Sequence, residues 1–311
     1  MARPAAAAPP ATAVPSASAS PARPARPPAS VPPDNQRVYR DGEIMNVSVK
    51  TLAIVLLTPL EIVPLPDVSM HTEGTGTITV VFESGLGDTG EVWAPVQSLV
   101  ASHCARTVSY TRRGYGVGAR ADGLRDAEHI VAELRSRLAA SGVAPPYVLV
   151  GHSSGGLYMQ YFARRYPTEV QGLVLVDSMH WNQLDRVKAA TPGVYRMMNV
   201  ITSLTGGILR REFSGFPPTA VEIEALPATN AVPTIVLSST RPAMGESPAF
   251  RALAAQLQDE LADTYAARRH EFVIDSGHYI QRDQPQAVVN AVRELAGCDA
   301  LPKLPREAGH L

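Results

Sequence analysis

Short apolar runs alternate with longer amphipathic stretches along most of this chain, and the alternation sets out its elements. Tyr147-Val148-Leu149-Val150 is apolar throughout and β-branched at two of its four positions. Such a run suits a strand buried on both faces of a parallel sheet. Leu157, Tyr158, Tyr161 and Phe162 follow at helical spacing. Upstream, the pattern over 67–83 predicts a hairpin, with Gly74-Thr75-Gly76 as its turn and a buried strand over 78–82. A helix is predicted over 91–103, with Trp93, Val96, Leu99 and Val100 on one face. A strand follows at 106–110, then a helix at 127–138 whose buried stripe is Ala127, Ile130, Val131, Leu134 and Leu138. Further strands are predicted at 172–176, 232–238 and 271–274, and helices at 250–268 and 286–295. Strands alternating with helices imply an α/β fold, with a mostly parallel central sheet and helices on both faces. Sites in such folds lie at the C-terminal ends of the strands.

The rhythm breaks twice. Residues 178–232 carry Trp181, Tyr195, Met197, Met198, Leu204, Leu209, Phe213 and Phe216 but no clear strand. They read as a small helical cap, inserted after the strand that ends at Asp177. Residues 1–44 are mainly Ala, Pro and Ser, with almost nothing large and apolar to bury, and read as a disordered tail. Residues 45–66 are an apolar lead-in, read as an early strand or as a signal-like segment starting at Met45. Pro59 and Glu61 interrupt it, and it is too short to span a bilayer. The core is then 67–177 with 233–297, and 298–311 is a C-terminal tail. The expected compartment is the cytoplasm, or outside it if Met45 is the start.

Composition adds little. The net charge is −1 over 311 residues, which points to neither nucleic acid nor an anionic membrane. Cys104 and Cys298 are the only cysteines, no C-x-x-C is present, and both read as fillers.

The chemistry gathers at Gly151-His152-Ser153-Ser154-Gly155, a G-x-S-x-G between a strand and a helix. A Cβ at Gly151 or Gly155 would clash in so tight a turn. Ser153 at its apex is the candidate nucleophile. A serine hydroxyl needs a base within hydrogen-bond reach, and the base needs an orienting acid. The chain order of serine, acid and histidine is met by Ser153, Asp177 and His278, each just past a predicted strand. Glu246 is the rival acid. His152 is expected to point away from Ser153, and His180 to pack in the cap. The backbone N–H groups of Ser154 and Leu86 are the candidate oxyanion donors, Leu86 standing in the glycine-flanked loop Ser84-Gly85-Leu86-Gly87.

These motifs, with Tyr115-Gly116 and the run from Leu173 to Ser178, resemble the α/β-hydrolase superfamily. They are similar to its cap-bearing esterase and peptidase-like branch with a GHSxGG elbow. The resemblance covers roughly 67–297. It implies a serine nucleophile, a histidine base and no cofactor, and no metal site is expected from the residues. Three features depart from the pattern: Thr111 stands where aspartate is usual, no Asp follows the strand at 233–238, and the N-terminal extension lies outside it. A serine at the elbow disfavours haloalkane dehalogenases and epoxide hydrolases of this fold. The leading expectation is hydrolysis of a carboxylic ester of a medium, largely hydrophobic small molecule. Amide or N-terminal peptide hydrolysis is the alternative, with Glu222 and Glu224 available to hold an amine. A non-catalytic binder on the same scaffold is the third reading.

Overall fold

A seven-stranded sheet runs through the molecule in the order β1-β3-β2-β4-β5-β6-β7. The computed structural model describes residues 70–298, apart from 102–104, 116–120, 228–230 and 244–245. The expected tail at 1–44, the lead-in at 45–66, Cys104 and the stretch from 299 onwards lie outside the described residues. The strands are β1 (Met70–Glu73), β2 (Ile78–Glu83), β3 (Ala105–Tyr110), β4 (Tyr147–His152), β5 (Val170–Val176), β6 (Thr234–Ser239) and β7 (Arg269–Val273). All pairings are parallel except that of β1 with β3.

The helices are α1 (Ala94–Ala101), α2 (Ala127–Ala140), α3 (Ser154–Arg165), α4 (Gln183–Ala190), α5 (Pro192–Thr205), α6 (Gly207–Ala225), α7 (Pro248–Thr264), α8 (Ile280–Asp283) and α9 (Pro285–Ala296). Side chains of one strand alternate between two cores. Leu149, Leu173 and Leu175 join α2 and α3 on one face of the sheet. Val148, Val150, Val174 and Val176 join α1 and α9 on the other. The continuous apolar runs of β4 and β5 follow directly from this double burial.

The predicted hairpin is not formed. β1 pairs with β3, Met70 opposite Tyr110, and β2 lies on the far side of β3. Gly74, at φ +76°, is the reason. The place of its missing Cβ is 2.3 Å from the Ala105 carbonyl oxygen, so the chain crosses the start of β3 instead of doubling back. The helix predicted over 91–103 opens as a 3₁₀ turn at Gly90–Trp93, and its buried stripe is Val92, Trp93, Val96, Gln97 and Val100. Leu99 is off that stripe and 41% exposed. Cys298 is also not a filler, because it is disulfide-bonded. Distance along the chain carries no signal about which sulfurs meet in space.

Between β5 and β6 stand α4, α5 and α6, where the sequence breaks its rhythm. α6 packs on the start of α2 and satisfies its first N–H groups. Thr219 Oγ1 accepts from Ala127 N at 2.8 Å, and Glu222 Oε2 accepts from Glu128 N at 3.2 Å.

Candidate active site

β4 ends at His152 and α3 begins at Ser154, so Ser153 alone makes the turn. Its φ of 54° and ψ of −125° are a strained combination for a residue with a side chain. The turn holds because it is pinned from several sides. Ser153 N donates to Val176 O at 3.2 Å, and Ser153 O accepts from Gly156 N at 3.0 Å and Met179 N at 2.9 Å. The glycines around it permit contacts that any side chain would block. A Cβ on Gly151 would lie 2.5 Å from Gly156 Cα, and one on Gly155 2.5 Å from the Glu83 and Ser84 oxygens. One on Gly156 would lie 2.1 Å from Ser178 Oγ, so this third glycine brings α3 against the end of β5.

Asp177 follows β5 directly and also has a positive φ, 41°. Its Oδ2 is 2.6 Å from His278 Nδ1, and its Oδ1 accepts from Ser239 N at 2.9 Å. Burial pushes this carboxyl up, but the His278 contact and the Ser239 N–H outweigh it and hold it below the usual range. The His278 loop is braced in turn. Ser276 O accepts from Thr240 N at 3.0 Å and Arg241 N at 2.8 Å, and Gly277 N donates to Asp283 Oδ2 at 2.8 Å. Glu246 stays in its own loop, where it accepts from Ala243 N at 2.8 Å. Ser153, Asp177 and His278 therefore share the C-terminal edge of the sheet. Asp177 and His278 are in contact, while Ser153 Oγ has no hydrogen-bond partner among the described residues.

Leu86 and Ser154 lie at the same edge, after β2 and β4. Neither backbone N–H has a partner among the described residues. The family model for alpha/beta hydrolases matches residues 80–291, a span that contains every element of this edge.

The chain belongs to the alpha/beta hydrolase family.

YqjL of Bacillus subtilis (strain 168), an uncharacterized protein, is 33% identical over 109 residues, 35% of this chain and 43% of that one. RutD of Pantoea ananatis (strain LMG 20103), whose name proposes a carbamate hydrolase, is 36% identical over 109 residues, 34% of this chain and 38% of that one. The match thus spans less than half the length of either curated relative. Among solved structures, a variant epoxide hydrolase from Bacillus megaterium superposes with a TM-score of 0.54. It is 16% identical and covers 73% of this chain and 96% of its own, a likeness of fold.

In this family member the loop carrying Leu86 is held by residues that sequence reasoning missed. Arg112 donates to Ser84 O at 2.6 Å and Gly85 O at 2.8 Å. The same guanidinium meets Glu83 Oε1 at 2.6 Å and both Glu212 oxygens at 2.9 Å. Tyr110 donates to Glu83, and Tyr115 OH lies 3.0 Å from Glu212 Oε2 and accepts from Gly87 N at 3.3 Å. Glu83, Arg112 and Glu212 are all buried. Burial lowers the Arg112 pKa, yet Glu212 and Glu83 more than restore it, so the guanidinium stays charged. Thr111, the departure from the family pattern, braces the next turn, where its Oγ1 accepts from Gly90 N at 3.1 Å.

His152 is buried behind the turn, and its Nε2–H donates to His278 O at 2.9 Å. Burial and the neighbouring His278 push its pKa down to about 3, so it is neutral. Its Nδ1 and Asp88 Oδ2 are both buried without a partner, 3.9 Å apart. His180 stacks on Trp181 at 3.7 Å, and Asn182 N donates to its Nδ1 at 3.2 Å. Glu222 is engaged at the start of α2, and Glu224 is exposed. Among the described residues no group of three His, Cys, Asp or Glu is arranged to hold a metal ion.

Proposed function

We propose that this protein is a serine hydrolase that cleaves a carboxylic ester through an acyl-enzyme intermediate. The observation that carries the reading is the 2.6 Å contact of Asp177 Oδ2 with His278 Nδ1, at the strand edge that also bears Ser153. Asp177 holds the proton on Nδ1, which leaves the Nε2 lone pair of His278 free to act as base. Ser153 Oγ attacks the ester carbon while Nε2 takes its proton. The carbonyl oxygen becomes an oxyanion held by the Leu86 and Ser154 N–H groups. Collapse breaks the bond to the alkoxy oxygen, which leaves as alcohol with the proton from His278. Water then repeats the sequence on the acyl-enzyme and releases the acid. Each oxyanion donor is worth about 10²–10³ in rate, and Arg112 serves by fixing the loop from which Leu86 projects.

In this reading α4–α6 form the cap over the substrate, and the apolar side chains they turn inward, such as Leu209 beside Gly87, favour a hydrophobic acyl or alcohol group. Cleavage of an amide or carbamate is the second reading, favoured by the name of RutD. The N-terminal peptidase version is weakened because Glu222 is committed to Glu128 N instead of a substrate amine. The Cys298 disulfide supports a compartment more oxidising than the cytoplasm. No helix among the described residues is long and apolar enough to cross a membrane.

The test is hydrolysis of p-nitrophenyl esters of increasing acyl length by the wild type, Ser153→Ala and His278→Ala. The expected result is turnover by the wild type that disappears in both variants. Folded protein without activity on any ester would overturn the ester reading, and amide or carbamate turnover lost in Ser153→Ala would replace it. Absence of all turnover would leave a binding protein on this scaffold.

A further inference from the structure

α5 carries apolar side chains on both of its sides. Its inner face is ordinary: Tyr195 and Met198 pack against the core, and Thr202 is buried. On the outer face Met197 is 56% exposed, Val200 55%, Ile201 53% and Leu204 83%. Positions 197, 200, 201 and 204 follow the i, i+3, i+4, i+7 spacing of a single helical face. Scattered exposed apolar residues need no explanation, but a continuous stripe along about two turns marks a surface that meets something other than water.

The charge beside the stripe has one sign. Arg196 sits on α5 next to it, and Arg210, in the first turn of α6, reaches back to Ser203 Oγ of α5 at 2.5 Å. Lys188 of α4 lies 5.6 Å from the Tyr195 ring centroid. From 188 to 211 the chain has Lys188, Arg196, Arg210 and Arg211 but no Asp or Glu, although its net charge is −1 overall. Arg211 is committed to the Ala121 carbonyl and Lys188 to the Tyr195 ring on the inner side, which leaves Arg196 and Arg210 beside the stripe. The whole-chain charge hides this local asymmetry.

The pattern selects an occupant. If two copies paired through this face by a two-fold axis, the arginines of both would be brought onto one surface, with no carboxylate from 188–211 of either copy to answer them. An anionic lipid surface answers both features. Apolar side chains enter the boundary of the acyl region, while guanidinium groups meet the lipid phosphates. We propose that the outer face of α5 docks this protein on an anionic lipid surface. The inference is independent of the catalytic reading, since none of these side chains belongs to the edge that carries Ser153.

The experiment is sedimentation of the full chain with vesicles of phosphatidylcholine alone, or of phosphatidylcholine mixed with phosphatidylglycerol. Wild type, Leu204→Ser, Ile201→Ser and the pair Arg196→Gln/Arg210→Gln are compared. Wild type is expected to bind the mixed vesicles and to be released by salt. Each serine substitution should weaken binding roughly tenfold, from the lost apolar burial. Removing each arginine should cost about fivefold on mixed vesicles and nothing on neutral ones. Turnover of a soluble short-chain ester should be the same in every variant, which separates this test from that of the active site. Equal binding to neutral and anionic vesicles, or no binding to either, overturns the proposal. So does a dimer in sedimentation velocity that Leu204→Ser disperses.

Discussion

Arg112 and Glu212, one hundred residues apart in the chain, face each other with two hydrogen bonds of 2.9 Å. This fork joins the loop after β3 to α6, and the same guanidinium grips the carbonyls of Ser84 and Gly85. Neutralising Glu212 leaves the buried Arg112 with Glu83 as its one carboxylate, a loss of about 1–3 kcal/mol rather than the larger cost of a wholly unpaired buried charge. Glu212→Gln should lower unfolding stability by roughly that amount and reduce turnover as the Leu86 loop loosens. Arg112→Lys should fail to restore either property, because an ammonium cannot fork between a carboxylate and two carbonyls. Denaturant titration and steady-state kinetics on each variant check both parts. Unchanged stability in Glu212→Gln would show that the fork is dispensable.

Asp177 and Glu246 compete for the role of orienting acid, and their surroundings differ. Asp177→Asn should lower kcat by about 10⁴, because the amide no longer holds the His278 tautomer. Glu246→Gln leaves an amide oxygen to accept from the same backbone N–H in a surface loop and should change kcat by less than about twofold. The reverse ranking in single-turnover assays would reassign the acid.

Two groups give stability a pH dependence of opposite sign. Burial and the nearby Asp126 and Glu128 carboxylates push Glu222 up to about 7, from an ordinary 4.5. The fold therefore favours its protonated form. That contribution is present below about 4.5 and is lost as pH rises through about 7. Glu222→Gln should raise the urea midpoint at pH 8 and leave it nearly unchanged at pH 4. His152 runs the other way: the fold keeps it neutral, so stability present above 6.5 is lost as pH falls toward 3. His152→Gln should flatten the acid limb of the stability profile. A midpoint at pH 8 that does not respond to Glu222→Gln would remove the first assignment.

The Cys298 disulfide makes a further prediction. Reduction should lower unfolding stability by about 2–4 kcal/mol, and Cys298→Ser should reproduce that loss without reductant. Identical melting temperatures with and without reductant would show that the bridge carries no stability.

The parallel core was legible because doubly buried strands leave continuous apolar runs, and β4, β5 and β6 each do so. Ser153 and Asp177 could be placed at the sheet edge because each directly follows such a run, whereas His278 lies beyond the half-exposed β7 and was placed by its order in the chain. β1 was misassigned because alternation reveals a strand but not its partner, and the crossing at Gly74 is set by a contact with Ala105. The Glu83–Arg112–Glu212 cluster left no trace, since its members are far apart in sequence and an isolated charged residue reads as solvated. α6 was recognised only as part of a helical region. Pro217 and Pro218 fall inside it, where local preference would end a helix, yet Phe213, Phe216 and Ile223 bury its face.

The stretch holding α4–α6 leaves the sheet at the end of β5 and re-enters at β6, and those strands pair from Leu173 opposite Thr234 to Val176 opposite Leu237. The sheet closes in the same way whether that excursion is long or short. Its length and lining can therefore be exchanged, as a cassette, without disturbing the pairing that sets the edge bearing Ser153. One position is not open. A lineage that replaces the cassette must bring a carboxylate to the place of Glu212, or lose the arginine at 112 together with the loop it steadies.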